Sequence, residues 1–175
     1  MPFLDQYQFN KMDNNGFIDP CDLRFAQPEC SKDFMNAKHG DVYKLASLLK
    51  QSPGVASNLP YVEIGEFNSM IWSFDTRRLV ALQMARRENI AVVGLYKKIT
   101  TREVAGRLAN FAPGESRCGI LCWVRQGGIN STRIVHCNPE YDGVNLDTSL
   151  NMTDAEYQSG LRTIKTLTGI SLIDL

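Results

Sequence analysis

The sequence has no excess of charge of either sign, since its 175 residues include 19 lysines and arginines and 19 aspartates and glutamates. A balanced chain exerts no long-range attraction on nucleic acid or on a membrane surface. Long apolar runs are also missing. The longest, Ile90–Tyr96, is far shorter than the ~20 residues that cross a bilayer. We therefore expect no membrane partner.

The N-terminus lacks a basic start followed by an apolar stretch, so the sequence predicts no secretory signal. An odd number of cysteines without such a signal indicates reduced thiols in a cytosol. We expect a cytoplasmic protein, or one exported by a specialised secretion system that needs no cleavable signal. The five cysteines are Cys21, Cys30, Cys118, Cys122 and Cys137.

Several common chemical motifs are absent, namely the glycine-rich nucleotide loops, the nucleophile elbow of hydrolases and the H-E-x-x-H metalloprotease motif. Cys118, Cys122, His136 and Cys137 could supply zinc ligands, but adjacent His and Cys residues in a strand point to opposite faces. Buried structural thiols are the favoured interpretation, and no metal-ligating residues are predicted. His39 is interpreted as a surface loop residue.

The composition is that of a globular domain, with 43% apolar and 22% charged residues. We expect one α+β domain over residues 1–175, with a core at about 17–137 and a C-terminal extension. Residues 1–16 are polar and end in a turn cluster. Periodicity then predicts the following elements: short extended pieces at Phe17–Asp19 and Leu23–Ala26, a helix at Asp41–Lys50, strands at Tyr61–Ile64 and Met70–Phe74 around a turn at Gly65–Asn68, and a helix from Asp75 to Glu88-Asn89.

The second half is predicted in the same way. Ile90–Leu95 is a β-branched run typical of a buried strand. Thr101–Asn110 indicates a short helix capped by Thr101. Strands at Gly119–Arg125 and Thr132–Cys137 flank Gly127-Gly128, as in a hairpin. A capping box at Thr153 and Glu156 begins a predicted helix over 153–168.

The balanced total hides a basic centre. Residues 70–110 carry eight basic and three acidic residues, a net charge of +5, whereas residues 1–69 carry six basic and nine acidic residues, a net charge of −3. A basic centre between acidic ends indicates an anion site, although a solvated helix face explains the same pattern.

The most informative stretch runs from Met70 to Leu79, where a strand leads into a helix with Arg77 and Arg78 in its first turn. A helix N-terminus offers unpaired N–H groups and partial positive charge to a phosphate. Cations there are unfavourable by a few tenths of a kcal/mol each, which a bound anion or an acidic partner would offset. Asp75 has two interpretations: an N-cap, or an acid or base beside a bound phosphate.

Three pieces in chain order resemble the ParB/sulfiredoxin-like superfamily, over roughly residues 17–137. They are Phe17–Gln27, the Gly40–Leu49 helix, and Leu59–Ile64 leading to the stretch from Trp72 to Ala81. The D-x-R-R-L core is most similar to the ParB-like domains of bacterial polymorphic toxins and effectors. The resemblance implies a ParB/sulfiredoxin-like α+β fold, with a small mixed sheet, packed helices and an added C-terminal helix.

The resemblance also implies a site. In ParB the strand-to-helix turn reads G-E-R-R and in sulfiredoxin G-C-H-R, and it holds nucleotide phosphates. Arg77 and Arg78 match its last two positions, and Asp75 replaces the glycine. Thr76 replaces the glutamate or the reactive cysteine, which argues against sulfinic acid reduction. Gln27 matches a box beside the phosphate pocket, although a strand-end amide that ties a loop is the alternative.

The leading hypothesis is therefore a ParB-like phosphate site that binds a nucleotide or nucleic acid, in an effector or toxin with nuclease, nucleotidase or phosphotransferase activity. Asp75, Arg77 and Arg78 are the candidate catalytic residues, and Thr76, Arg77, Arg78 and Gln27 the candidate phosphate-binding residues. Mg²⁺ could assist, and a host or immunity protein is a candidate partner. The alternatives are a non-enzymatic nucleotide-sensing or protein-interaction module, and arginines that pair internally and only support the fold.

Overall fold

The strands assemble into two mixed sheets with helices packed against them, which confirms the α+β class. The computed structural model describes residues 4–27, 29–34, 40–67, 70–108, 119, 121–127 and 129–139. The prediction of a single small sheet is wrong, because the described strands form one sheet of five and another of three. The specific ParB/sulfiredoxin-like fold stays a prediction. The helix predicted over 153–168, Cys118 and His39 lie outside the described residues.

The described part of the chain contains four helices and eight strands. The helices are α1 (Gln6–Lys11), α2 (Val42–Gln51), α3 (Thr76–Glu88) and α4 (Thr101–Leu108), with 3₁₀ turns at Pro20–Asp22 and Pro53–Asn58. The strands are β1 (Asn15–Ile18), β2 (Arg24–Phe25), β3 (Glu29–Ser31), β4 (Val62–Phe67), β5 (Met70–Ser73), β6 (Gly94–Lys98), β7 (Leu121–Gln126) and β8 (Ile129–Val135).

The five-stranded sheet has the order β1-β6-β4-β5-β2. Strands β4 and β5 form the predicted antiparallel pair, and β6 returns parallel to β4 after α3. In the second sheet, of order β3-β7-β8, strands β7 and β8 form the antiparallel pair predicted around Gly127-Gly128. The connection from β5 through α3 to β6 places the N-terminal end of α3 at the edge where β5 ends.

Side-chain alternation along β4 assigns the two faces of the larger sheet. Val62 and Ile64 belong to the main core, together with buried residues of α2 and α3. Phe67 belongs to a second cluster with α4. Gly65 faces α4 as well, where a Cβ would overlap the Val104 side chain, so only glycine fits this approach. The sheet is thus covered by α2 and α3 on one face and partly by α4 on the other.

Two local predictions in the first half of the chain need correction. Residues 1–16 include helix α1, whose N-cap Asp5 forms a capping box with Gln8. The sequence shows no helical periodicity here, because the six-residue helix buries Phe9 and one apolar position makes no repeating pattern. Strand β4 extends to Phe67, so residues 65–67 of the turn predicted at Gly65–Asn68 belong to the strand.

Two further corrections follow α3. The strand predicted at Ile90–Leu95 forms four residues later, at Gly94–Lys98, and Ile90 is 81% exposed. The Asn89 side chain accepts from the Ala91 amide and so turns the chain before the strand begins. Helix α4 is capped by the hydroxyl of Thr100, which accepts from the Glu103 amide, and not by Thr101 as predicted.

The prediction that all cysteines are reduced is wrong, because Cys21 and Cys137 form a disulfide across a sequence separation of 116 residues. Cys122 is a buried free thiol, as the structural interpretation expected, and Cys30 is a second buried free thiol. Strand β8 ends at Val135, so His136 and Cys137 follow the strand instead of lying in it. The pattern of opposite faces assumed for these two residues therefore does not apply.

Candidate functional site

The N-terminal end of α3 lies directly after β5, separated from it by two residues, Phe74 and Asp75. The helix begins at Thr76, where the Asp75 carbonyl accepts from the Leu79 amide at 2.9 Å. Leu79 is fully buried, and Thr76 is 3% exposed. Burial of the helix against the sheet therefore fixes this turn, and it leaves Arg77 and Arg78 half-buried on the open side.

Asp75 occupies the N-cap position, but its carboxylate caps none of the described amides of α3. Its Oδ2 accepts from the Glu63 amide at 2.7 Å, and its Oδ1 lies 3.3 Å from an Arg78 guanidinium nitrogen. The capping interpretation is thus wrong for the side chain. The amide near the start of β4 binds this carboxylate in place of the helix amides.

Arg77 and Arg78 are oriented by backbone carbonyls. Arg77 Nη1 donates to the carbonyl of Asp33 at 2.6 Å, and Arg78 Nη1 donates to the carbonyl of Tyr61 at 3.0 Å. A guanidinium has five N–H donors in a rigid fork, so one such bond orients it and leaves donors for a second partner. The internal-pairing interpretation holds in part for Arg78, through Asp75, while Arg77 contacts a neutral carbonyl.

These residues line one cleft with a volume of about 170 Å³. All five candidates from the sequence contribute to it, including exposed Gln27, which follows β2 and lies across from the helix end. The structure thus brings together residues separated by about fifty positions. The full lining is Gln27, Phe34, Phe74, Asp75, Thr76, Arg77 and Arg78.

Two buried hydroxyls beside the helix end find no hydrogen-bond partner among the described residues: Ser73 Oγ and Thr76 Oγ1. A buried polar group without a partner is unfavourable by about 1–3 kcal/mol. Thr76 also lines the cleft next to the two arginines, although its hydroxyl itself is buried. Ser73 is not among the residues that line the cleft.

Sequence reasoning missed Phe34 and Phe74 as lining residues. Phe74 was visible in the sequence as the residue between strand and helix. Phe34 reaches the cleft from the chain after β3, and no local pattern links it to α3. The Arg107 guanidinium lies 5.2 Å from the Phe74 ring centroid, so this ring has a cation on one side.

The C-terminal half of α3 forms a second polar cluster. Gln83 is 1% exposed and makes three hydrogen bonds, donating to the carbonyls of Pro20 and Leu23 and accepting from the Cys137 amide. Arg86 binds both carboxylate oxygens of Asp19 at 3.1 Å. This cluster joins the first 3₁₀ turn to the chain after β8.

Two groups in this second cluster have shifted pKa values. Burial lowers the pKa of His136 from 6.5 to about 3, and its ring lies between the Leu23 carbonyl and the Asn138 amide. Burial, together with the neighbouring Asp19 carboxylate, raises the pKa of Asp22 from 3.8 to about 6, against the opposing charge of Arg86. His136 is therefore neutral at pH 7 and serves the packing of this region.

Among the described residues, no group of three or more His, Cys, Asp or Glu side chains could hold a metal ion. None of the described helices is long and apolar enough to cross a membrane. No family model, curated protein or solved structure matches this chain. The superfamily resemblance therefore rests on the residues themselves and stays a prediction.

Proposed function

We propose that the chain binds the phosphate group of a nucleotide or a nucleic acid at the N-terminal end of α3. The observation that carries the proposal is the convergence of Arg77, Arg78, Thr76 and Gln27 on one cleft at a helix end that Asp75 leaves uncapped. None of these features alone indicates a binding site, but together they offer several hydrogen-bond donors and positive charge to one small anion.

The physical basis is the sum of three contributions. The first amides of a helix are unpaired, and the helix dipole places partial positive charge at them. Arginine matches the planar spacing of phosphate oxygens and is always ionised. A phosphate would also compensate the two cations, which are unfavourable at a helix N-terminus without an anion.

Binding is favoured over bond cleavage by the state of Asp75. Both of its oxygens have partners, the Glu63 amide and Arg78. This arrangement gives Asp75 a positioning role for Arg78, whereas an acid–base or metal-bridging role would use the remaining lone pairs of the same two oxygens. The nuclease, nucleotidase or phosphotransferase activity of a toxin or effector is the alternative.

The test is a thermal-shift titration with CTP, ATP, GTP and inorganic pyrophosphate, each with and without Mg²⁺. A ligand at a hundred times its Kd adds about 2.7 kcal/mol to the free energy of unfolding. We expect a shift that the Arg77→Ala, Arg78→Ala protein loses. Arg87→Ala, on the same helix but at its other end, is the matched control and should keep the shift.

Two results separate the alternatives. The absence of a shift with every phosphate ligand, or a shift that survives the double substitution, would contradict the proposal and favour the protein-interaction alternative. Release of product from any of the nucleotides, measured by chromatography and lost in Asp75→Asn, would establish the enzymatic alternative instead.

A further inference from the structure

We propose that the ligand of this site is a single-stranded nucleic acid, whose bases stack beside the cleft on the open face of the five-stranded sheet, the face that α4, among the described residues, covers only in part. The proposal deepens the proposed function and rests on it, since the cleft would hold one backbone phosphate. A volume of about 170 Å³ is below the ~300–1,000 Å³ typical of pockets that enclose a whole small ligand. The rest of a nucleotide or nucleic acid bound there would lie on the surface nearby.

The open face is defined by strand alternation. Ile18 on β1, Tyr96 on β6 and Val62 on β4 all belong to the main core. Their strand neighbours Phe17 and Lys97 therefore lie on the opposite face, and Tyr61, directly before β4, lies there too because its ring contacts Lys97. Phe17 is 58% and Tyr61 47% exposed, and Lys97 is exposed as well. We call the face formed by Phe17, Tyr61, Phe74 and Lys97 the stacking face.

Each of two rings on this face has a cation beside it. The Lys97 ammonium lies 5.4 Å from the Tyr61 ring centroid, and the Arg107 guanidinium lies 5.2 Å from that of Phe74. The acidic residue between them, Glu63, is paired with Arg107 at 3.1 Å. Aromatic rings interleaved with cations bind unpaired bases by stacking and the phosphates between them by charge.

The stacking face is continuous with the cleft through direct contacts. Arg78 donates to the carbonyl of Tyr61, and the Asp75 carboxylate accepts from the amide of Glu63. Phe74 belongs to both surfaces, because its ring lines the cleft and contacts Arg107. A strand with one phosphate between Arg77 and Arg78 could therefore continue over Phe74 toward Tyr61 and Phe17.

The rings also determine which form of nucleic acid fits. Bases inside a duplex are stacked on each other and cannot lie flat on protein side chains, whereas unpaired bases can. A free nucleotide would occupy the cleft and at most one ring, and it would leave Phe17 on β1 without a role. The exposed rings of Phe17 on β1 and Tyr61 before β4, together with the half-buried ring of Phe74 after β5, therefore favour a strand of several nucleotides.

The experiment measures fluorescence anisotropy with labelled twelve-nucleotide oligo(dT) and oligo(rU), the duplex of oligo(dT) with oligo(dA), and unlabelled pyrophosphate as a competitor. Pyrophosphate has no base and so reports on the cleft. We expect either single strand to bind at least tenfold more tightly than the duplex, and the tighter of the two identifies the preferred sugar. Phe17→Ala and Tyr61→Ala should each lower the ratio of oligonucleotide to pyrophosphate affinity by roughly fivefold to a hundredfold.

The matched control is Tyr7→Ala, because Tyr7 is 67% exposed and has the Lys11 ammonium 4.3 Å from its ring, but lies on α1. This variant should keep the wild-type ratio. Equal binding of the duplex, or a ratio insensitive to Phe17 and Tyr61, would overturn the stacking proposal while pyrophosphate binding upholds the phosphate site. Oligonucleotide binding that survives Arg77→Ala, Arg78→Ala would instead overturn the phosphate site.

Discussion

Helix α3 carries a pair of adjacent arginines at each end, and the two pairs have different surroundings. At the C-terminal end, Arg86 binds both oxygens of Asp19, and Arg87 donates to the carbonyl of His136. At the N-terminal end, Arg77 and Arg78 each donate to one carbonyl at the edge of an open cleft, and Arg78 also pairs with Asp75. The same residue type thus joins parts of the fold at one end and borders an open cleft at the other.

The helix dipole accounts for part of this difference. Cations stabilise the last turn of a helix and oppose the first, so Arg86 and Arg87 are favourable without a ligand. Arg77 and Arg78 become favourable when an anion is present. The neighbouring polar groups follow the same division, since buried Gln83 is fully bonded whereas the buried hydroxyl of Thr76 has no described partner. We infer that the C-terminal end supports the fold and the N-terminal end binds a ligand.

The largest expected effect comes from the disulfide beside the C-terminal end. Cys21–Cys137 closes a loop of 116 residues, and a loop of about 100 residues contributes about 4–5 kcal/mol in the chain-entropy model. Cys137→Ser should lower the free energy of unfolding by about this amount in urea denaturation. Pyrophosphate binding to the remaining folded protein should persist, and its loss would break the division between the two ends.

The next effect in size is expected at Gln83. Its replacement by alanine leaves the carbonyls of Pro20 and Leu23 and the amide of Cys137 without their side-chain partner. We expect a loss of about 3 kcal/mol from these buried groups and the cavity together. Gln27→Ala is the matched control, because Gln27 is exposed at the cleft and should change stability by about 0.5 kcal/mol or less. Equal destabilisation by both substitutions would contradict the comparison.

The pH dependence of stability should also arise at the C-terminal end. Because the folded pKa of His136 is about 3, below its ordinary 6.5, its contribution is full above pH 6.5 and is lost as the pH falls toward 3. Asp22 acts in the opposite direction. Its folded pKa is about 6 against 3.8, so its contribution grows as the pH falls from 6 to 3.8.

Asp22→Asn separates the two groups. At pH 7 the variant should be more stable than the wild type by on the order of 1–2 kcal/mol, because it removes a carboxylate whose ionisation burial disfavours. This difference should shrink through the window from pH 6 to pH 4, as Asp22 of the wild type becomes protonated. Urea denaturation of both proteins across this range measures it, and parallel profiles would contradict the assignment.

The position of the candidate residues was more predictable from the sequence than their partners, for a physical reason. Asp75, Thr76, Arg77 and Arg78 follow one another shortly after a strand, so local patterns sufficed to place them at the start of α3, and their role stays a prediction. Long-range partners could not be read from local patterns. The Asp75 carboxylate accepts from the Glu63 amide instead of capping the helix. The Cys21–Cys137 disulfide joins residues that are 116 positions apart.

The shifted strand β6 shows the same limit. Ile90 has high β propensity, yet it is 81% exposed because Asn89 turns the chain there. Pairing with β4 then selects Gly94–Lys98 instead. Propensity and apolar runs predicted that a strand follows α3, while tertiary pairing determined which residues form it.

The smallest expected effect on stability is the most direct test of the N-terminal end. Thr76→Val keeps the shape of the side chain and removes a buried hydroxyl that has no described partner. The free energy of unfolding should therefore rise, by about 1 kcal/mol or less. If the hydroxyl is a reserved donor for the ligand, the affinity for pyrophosphate should fall by about tenfold in the same variant.

Ser73→Ala is the matched control, because Ser73 Oγ is also buried without a described partner, but Ser73 is not among the residues that line the cleft. It should leave the affinity for pyrophosphate unchanged. If Thr76→Val binds pyrophosphate as tightly as the wild type, the hydroxyl makes no contribution to ligand binding. A gain in stability with a loss of binding, at Thr76 and not at Ser73, would mean that the unmet hydrogen bond is retained for the ligand.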